Sequence, residues 1–286
     1  MTRWILGFLL IASLLTAAWV WWGVLRMRPA VEARRVSDEL VDEAQAASAR
    51  GDRQTSKELI DEALQTDREN PRAHRELAMH LITENRRDQA LKELQYVAET
   101  RTDDSGAARE LAALFWTMGD KENAIRWLRE AVRRDPKNGL ALVELAQCLL
   151  ESGDAAGAVG AAEDAVTLYP RWQSAWLALG FVKRESGDLE GAKEALDEAL
   201  QLLPDDVDTL LAAADVAYGL NQIEAATGYA RRAVAADPQY ATAWFVLAHL
   251  LQVAGEGTEA QDALRRARSL GAVPTEQPQQ PPRPIR

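Results

Sequence analysis

Residues 139–172 read GLALVELAQCLLESGDAAGAVGAAEDAVTLYPRW, and residues 173–206 read QSAWLALGFVKRESGDLEGAKEALDEALQLLPDD. Laid one over the other, these two stretches of 34 residues match Leu145 with Leu179, Ala146 with Gly180, Gly153 with Gly187, Ala158 with Ala192, Ala165 with Ala199 and Pro170 with Pro204. The register extends both ways without an inserted or deleted residue, giving seven blocks: 37–70, 71–104, 105–138, 139–172, 173–206, 207–240 and 241–274. Self-similarity at a fixed period of this length marks a repeat architecture, in which each unit is too small to bury its apolar face alone and stacks on its neighbours.

Reading down the columns gives each place a physical role. The eighth place is Ala44, Ala78, Ala112, Ala146, Gly180, Ala214 and Ala248, and the twentieth is Ser56, Ala90, Ala124, Ala158, Ala192, Ala226 and Ala260. Two small columns at this separation let paired helices approach closely, where larger side chains would hold them apart. The twenty-seventh place, Ala63, Val97, Ala131, Ala165, Ala199, Ala233 and Ala267, is small again where a second helix meets the next repeat. Leucines at the seventh place and Ile60, Leu94, Leu128, Leu196 and Leu264 at the twenty-fourth fill the space between as core. The fifteenth place holds only Gly or Asn (Gly51, Asn85, Gly119, Gly153, Gly187, Asn221, Gly255), the residues that best tolerate the left-handed conformation ending a helix. At the thirty-second place Pro136, Pro170, Pro204 and Pro238 end the second helix, because the proline ring disfavours helical geometry in the residue before it. The first, second and last blocks carry Arg68, Thr102 and Ala272 there instead. Lys183 stands in an otherwise apolar column, and its stem is expected along the core with its amine in water.

A 34-residue helix-turn-helix unit with small residues at these offsets resembles the tetratricopeptide repeat throughout 37–274. The resemblance implies an all-α solenoid, a right-handed superhelix of helix-turn-helix repeats, with a concave face lined by the second, fifth, sixth, ninth, twelfth and thirteenth places of each first helix. In the second and third blocks those places include Arg72, Arg75, Glu76, Arg109, Glu110 and Trp116, a mixed-charge lining with one aromatic. From the fourth block onward they include Leu140, Val143, Leu150, Leu177, Phe181, Leu211, Tyr218, Phe245 and Val246. Contiguous exposed apolar area of this kind marks an interaction site. The competing reading is that packing between neighbouring first helices buries part of the column.

The family also contains members that clamp an acidic chaperone C-terminus with Lys and Asn at the fifth and ninth places, Asn at the sixth place of the next repeat, and Lys and Arg at the second and sixth of the third. Here the corresponding residues are Arg75, Met79, Glu110, Leu140 and Glu144, or Val41, Gln45, Glu76, Gly106 and Glu110 from the block before. Neither set is a clamp, so an apolar or amphipathic protein segment is the expected partner class.

Ahead of the repeats lies an uncharged stretch of 22 residues, Trp4 to Leu25. At helical rise it covers roughly 33 Å, against a hydrocarbon core of about 30 Å. Trp4 lies at one end and Trp19, Trp21 and Trp22 at the other, where amphipathic rings favour the headgroup zone. Residues 1–28 are therefore expected to be one N-terminal transmembrane anchor and 29–36 a basic juxtamembrane linker. A cleaved signal peptide, with Thr16-Ala17-Ala18 near the cut, is the competing reading. Only Arg3 precedes the span while Arg26, Arg28, Arg34 and Arg35 follow it, which places the repeats in the cytoplasm by the positive-inside rule. The resemblance keeps the periplasm open as the alternative, since many membrane-anchored bacterial members face that side.

The chain carries a net charge of −11, and both its ends are basic. The repeats are thus more acidic than the whole, a field that opposes nucleic acid and favours basic or neutral partners. With His74, His80, His249 and the single Cys148, expected as a buried apolar residue, the chain lacks the residues for a zinc, haem or thiol-nucleophile site, and no cofactor or metal is implied. Gly153, Gly157 and Gly160 follow no strand and are repeat residues, not a phosphate loop. The Pro- and Gln-rich tail 275–286 is expected to be extended or disordered. The resulting expectation is a non-enzymatic, membrane-anchored adaptor of bacterial type, with a self-associating scaffold, a homo-oligomer without a client peptide, as the alternative.

Overall fold

The computed structural model describes residues 29–271, and among them every regular element is an α-helix. Fourteen helices follow one another: α1 over 29–49, then α2 Arg53–Thr66, α3 Pro71–Thr83, α4 Arg87–Thr100, α5 Ser105–Thr117, α6 Lys121–Arg134, α7 Gly139–Glu151, α8 Ala155–Leu168, α9 Gln173–Glu185, α10 Leu189–Leu202, α11 Val207–Gly219, α12 Ile223–Ala236, α13 Ala241–Val253 and α14 Gly257–Ser269. From α3 onward each first helix begins on the first residue of its block, and each second helix begins on the seventeenth. The chain divides between Asp135 and Pro136 into two compact units, α1–α6 and α7–α14. A repeat array touches only its neighbours, so a division between repeats separates few contacts.

All seven residues of the fifteenth place adopt positive φ, from 59° at Asn85 to 90° at Gly153. The small columns are buried throughout: Ala78, Ala112, Ala146 and Ala214 at the eighth place and Ala90, Ala124, Ala158, Ala192 and Ala226 at the twentieth are wholly sealed from solvent. Gly180 shows what the eighth place faces, because a Cβ added there would lie 2.7 Å from Cγ and Cδ2 of Leu196. Within α1–α6 the core gathers Leu81, Leu94, Val97, Leu111 and Leu114. Within α7–α14 a larger cluster runs from Ala192 to Ala263 through Leu196, Leu210, Val216, Leu247 and Leu251.

Two capping columns complete the turns. At the sixteenth place the side chains of Asp52, Asp120, Asp154 and Asp188 accept from the backbone amide three residues on. At the thirty-fourth, Asn70, Asp104, Asn138 and Asp206 do the same for the first helices. A cap of this kind contributes roughly 1 kcal/mol. Hydrogen bonds from Asn123 and Thr55 hold the Asp120 and Asp52 carboxyls below the usual carboxylate range. A third device closes the junction between repeats: a ring N–H at the fourth place donates to the carbonyl of the residue six before it. His74 Nε2 lies 2.9 Å from Arg68 O, Trp176 Nε1 2.9 Å from Pro170 O and Trp244 Nε1 3.0 Å from Pro238 O.

Three expectations are refined by the structure. Residues 29–36, expected as a basic juxtamembrane linker, are helical and continuous with the rest of α1. The helix is supported there by Arg35, which pairs with Glu32 at 2.8 Å and Glu39 at 2.6 Å, and by Arg34, which reaches across to Asp67. Secondly, proline marks the end of the second helix without being required for it, since α2 and α4 stop at Thr66 and Thr100, the same column as α6, α8, α10 and α12. In each the cap residue leaves helical geometry, and its amide still bonds to the carbonyl four residues back. Thirdly, the Lys183 amine meets carboxylates, with Nζ 3.6 Å from Glu163 and 4.0 Å from Asp188. Cys148 is buried in α7.

The expected anchor 1–28 and tail 275–286 lie outside the described residues. Among the described helices none is long and apolar enough to cross a membrane.

Candidate functional site

The fifteen residues expected to line a groove fall in both units, six in α3 and α5 and nine in α7–α13, and the structure treats the two groups differently.

In the first unit the charged side chains are tied down between successive first helices. Arg72 on α3 pairs with Asp42 at 2.5 Å and Asp38 at 3.7 Å, both on α1. Arg75 directs Nε to Glu110 on α5 at 2.7 Å and Nη2 to Asp104 at 3.4 Å. Gln45 and Glu76 join α1 to α3 at 2.7 Å in the same way. Trp116, half-buried, has the Lys121 ammonium 5.1 Å from its ring centre. Arg72 and Arg75 therefore have a structural task before any partner arrives. Residue types alone did not reveal these pairs, although the 29- to 35-residue separations are those of neighbouring repeats. Arg109 is half-buried on α5.

In the second unit the apolar lining divides by degree of burial. Leu177, Leu211, Tyr218 and Val246 are half-buried against the core cluster. For these four the packing reading holds in part. Val143 and Phe245 are also half-buried, whereas Leu140 and Phe181 keep 52% and 36% of their surface exposed. Tyr218 and His249 meet edge to face, ring centres 5.5 Å apart, which links α11 to α13.

Three of the expected residues, Leu177, Phe181 and Leu211, come together in one shallow cleft between α9 and α11, of about 380 Å³, completed by Ala212, Arg184 and Asp208. Arg184 and Asp208 stand at the twelfth and second groove places of their blocks, so the column rule that found Phe181 and Leu211 contained them as well. The Arg184 guanidinium lies 5.3 Å from the Phe181 ring centre, and its Nη1 is 2.8 Å from Asp215. The apolar floor and the charged rim suit a protein segment with one seated side chain. A second cleft, of about 500 Å³, is lined by Asp61, Leu64, Gln65, Arg68 and His74 in the first unit. Among the described residues no group of three or more His, Cys, Asp or Glu is placed to hold a metal ion.

A solenoid of helix hairpins stacked on their neighbours is of the class of repeat scaffolds that bind other proteins. Sequence profiles of the tetratricopeptide repeat match residues 41–108, 109–175 and 211–281, and a second profile of the same repeat matches 173–216. The chain belongs to the tetratricopeptide repeat family. No curated protein matches it. Among solved structures it is similar to a tetratricopeptide repeat protein from Parabacteroides merdae, with TM-score 0.65 and 14% identity over 83% of this chain and 94% of that one. It is also similar to PilF of Pseudomonas aeruginosa, with TM-score 0.59 and 22% identity over 70% of this chain and 91% of the other. MamA of Desulfovibrio magneticus gives TM-score 0.52 and 20% identity over 58% and 94%. At these identities the likeness is one of fold.

Proposed function

We propose that the chain is a non-enzymatic adaptor of seven repeats, held at a bacterial inner membrane by its N-terminal stretch, that binds apolar or amphipathic protein segments during assembly or quality control of a membrane or envelope complex. The observation that carries this reading is the cleft where Leu177, Phe181 and Leu211 converge between two first helices of the second unit. Surface of this kind, rimmed by polar groups, is where interfaces place their buried anchors.

The membrane assignment rests on the uncharged run Trp4 to Leu25 and on the arginines that follow it, which orient the repeats toward the cytoplasm; a periplasmic location is the alternative. The full chain is expected to pellet with membranes and to resist carbonate extraction. A shortened form recovered in the soluble fraction would instead establish cleavage.

Client binding is tested by proximity labelling from the membrane-bound chain, comparing wild type with Phe181→Ala. Neighbours lost in the variant are the clients; an unchanged set of neighbours overturns this use of the cleft. The self-associating scaffold predicts a size that rises with concentration for the chain in detergent. Helix α14 turns Gln261, Asp262, Arg265 and Arg266 outward, a charged face that opposes end-to-end stacking of copies.

A further inference from the structure

The cleft between α9 and α11 has a charge pattern as well as an apolar floor. Its two rim charges are not equivalent. Arg184 is fully engaged: Nη1 bonds to Asp215 at 2.8 Å, Nη2 bonds to Glu185, and the guanidinium lies over the Phe181 ring. Asp208 is exposed, and its side chain makes no hydrogen bond or ion pair among the described residues. Helix α11 does not need Asp208 as a cap, because Asp206 already accepts from the Thr209 amide at 2.9 Å.

The surroundings reinforce the asymmetry. Residues 139–240 contain seventeen Asp and Glu but six Lys and Arg. Of those six, Lys183, Arg184, Arg231 and Arg232 are held by protein oxygens. The field over the cleft is therefore negative, and the guanidinium at its rim is not free to receive an anion.

On the reading that this cleft is where a partner docks, we propose that its occupant is a cationic amphipathic segment. An apolar side chain sits on Leu177, Phe181, Leu211 and Ala212, and a Lys or Arg of the same segment reaches Asp208. An acidic segment is refused, because it would face Asp208 without compensation while Arg184 is already taken by Asp215 and Glu185.

The test selects random twelve-residue peptides displayed on phage against the full chain, with Phe181→Ala, Asp208→Asn and Asp208→Lys as comparisons. Peptides that need Phe181 are expected to carry Lys or Arg close to an apolar residue. They should bind Asp208→Asn about 2- to 5-fold more weakly, the range for an ion pair open to solvent. Selection on Asp208→Lys should replace the basic residue by an acidic or neutral one. Phe181-dependent peptides without basic enrichment, or indifferent to both Asp208 variants, overturn the proposal and leave the docking cleft standing. Failure to recover any Phe181-dependent peptide overturns the docking cleft itself and the proposal with it.

Discussion

The Arg184 guanidinium lies 5.3 Å from the centre of the Phe181 ring while its Nη1 pairs with Asp215 at 2.8 Å, so α11 holds a charge in place beside an aromatic ring of α9. Phe181 is thus steadied from its exposed side, whereas Leu211 is steadied by the core. The two should separate on substitution. Leu211→Ala removes packed atoms and is expected to cost about 1 to 3 kcal/mol, while Phe181→Ala should cost about 1 kcal/mol or less. Thermal melting of the full chain in detergent measures both; equal losses would mean that Phe181 too is core.

Ala146 and Ala158 are wholly buried on α7 and α8, at the two small columns that set the spacing of a hairpin. Ala146→Phe should overpack this contact at about 1 to 3 kcal/mol. A melting temperature equal to that of wild type would show that the hairpin has room its columns do not suggest.

Asn221 ends its helix hairpin at φ 60°, where five of the other six turns carry glycine. Asn221→Gly is therefore expected to be neutral or slightly stabilising, and Asn221→Ala to cost about 1 kcal/mol because a Cβ without a local hydrogen bond is disfavoured there. Urea titration of the two variants side by side decides it, and the order is the informative result.

Hydrogen bonds from Arg133, and then Arg134, hold the Glu130 carboxyl at about 2, against an ordinary 4.5. The folded state therefore favours the ionised group, and the unfolded state binds more protons between these two values. Stability from Glu130 should be fully present above pH 4.5 and lost as the pH falls towards 2. Glu130→Gln should lower stability at neutral pH by about 0.2 to 1 kcal/mol per pair. The gap between wild type and variant should close by pH 2; a gap that persists there would show that shape, and not charge, is what Glu130 contributes.

Most of the scaffold was legible in the amino-acid sequence for a local reason. A turn that needs positive φ selects Gly or Asn, and a close helix contact selects Ala, so a strict spacing of such residues carries the hairpin geometry with it. The capping Asp and Asn at the sixteenth and thirty-fourth places, and the ring N–H donors His74, Trp176 and Trp244, obey the same spacing and were open to the same reading. Helix α1 was less legible, because its support comes partly from Asp67, a residue more than thirty positions away.

The lining of the candidate site was legible as a set of positions and not as a surface. Arg72 and Arg75 occupy groove places, yet only the folded chain shows carboxylates of neighbouring helices already taking their charge. Leu211 and Phe181 are both apolar members of one column, and the sequence treats them alike. Their difference is tertiary: how far each side chain stands clear of the core depends on the volumes packed between α9, α11 and their neighbours, which no single repeat contains. Period, turns and small columns follow from the chain alone because each is a demand of local backbone geometry. The cleft, its engaged arginine and its free carboxylate arise only where two successive repeats are brought side by side.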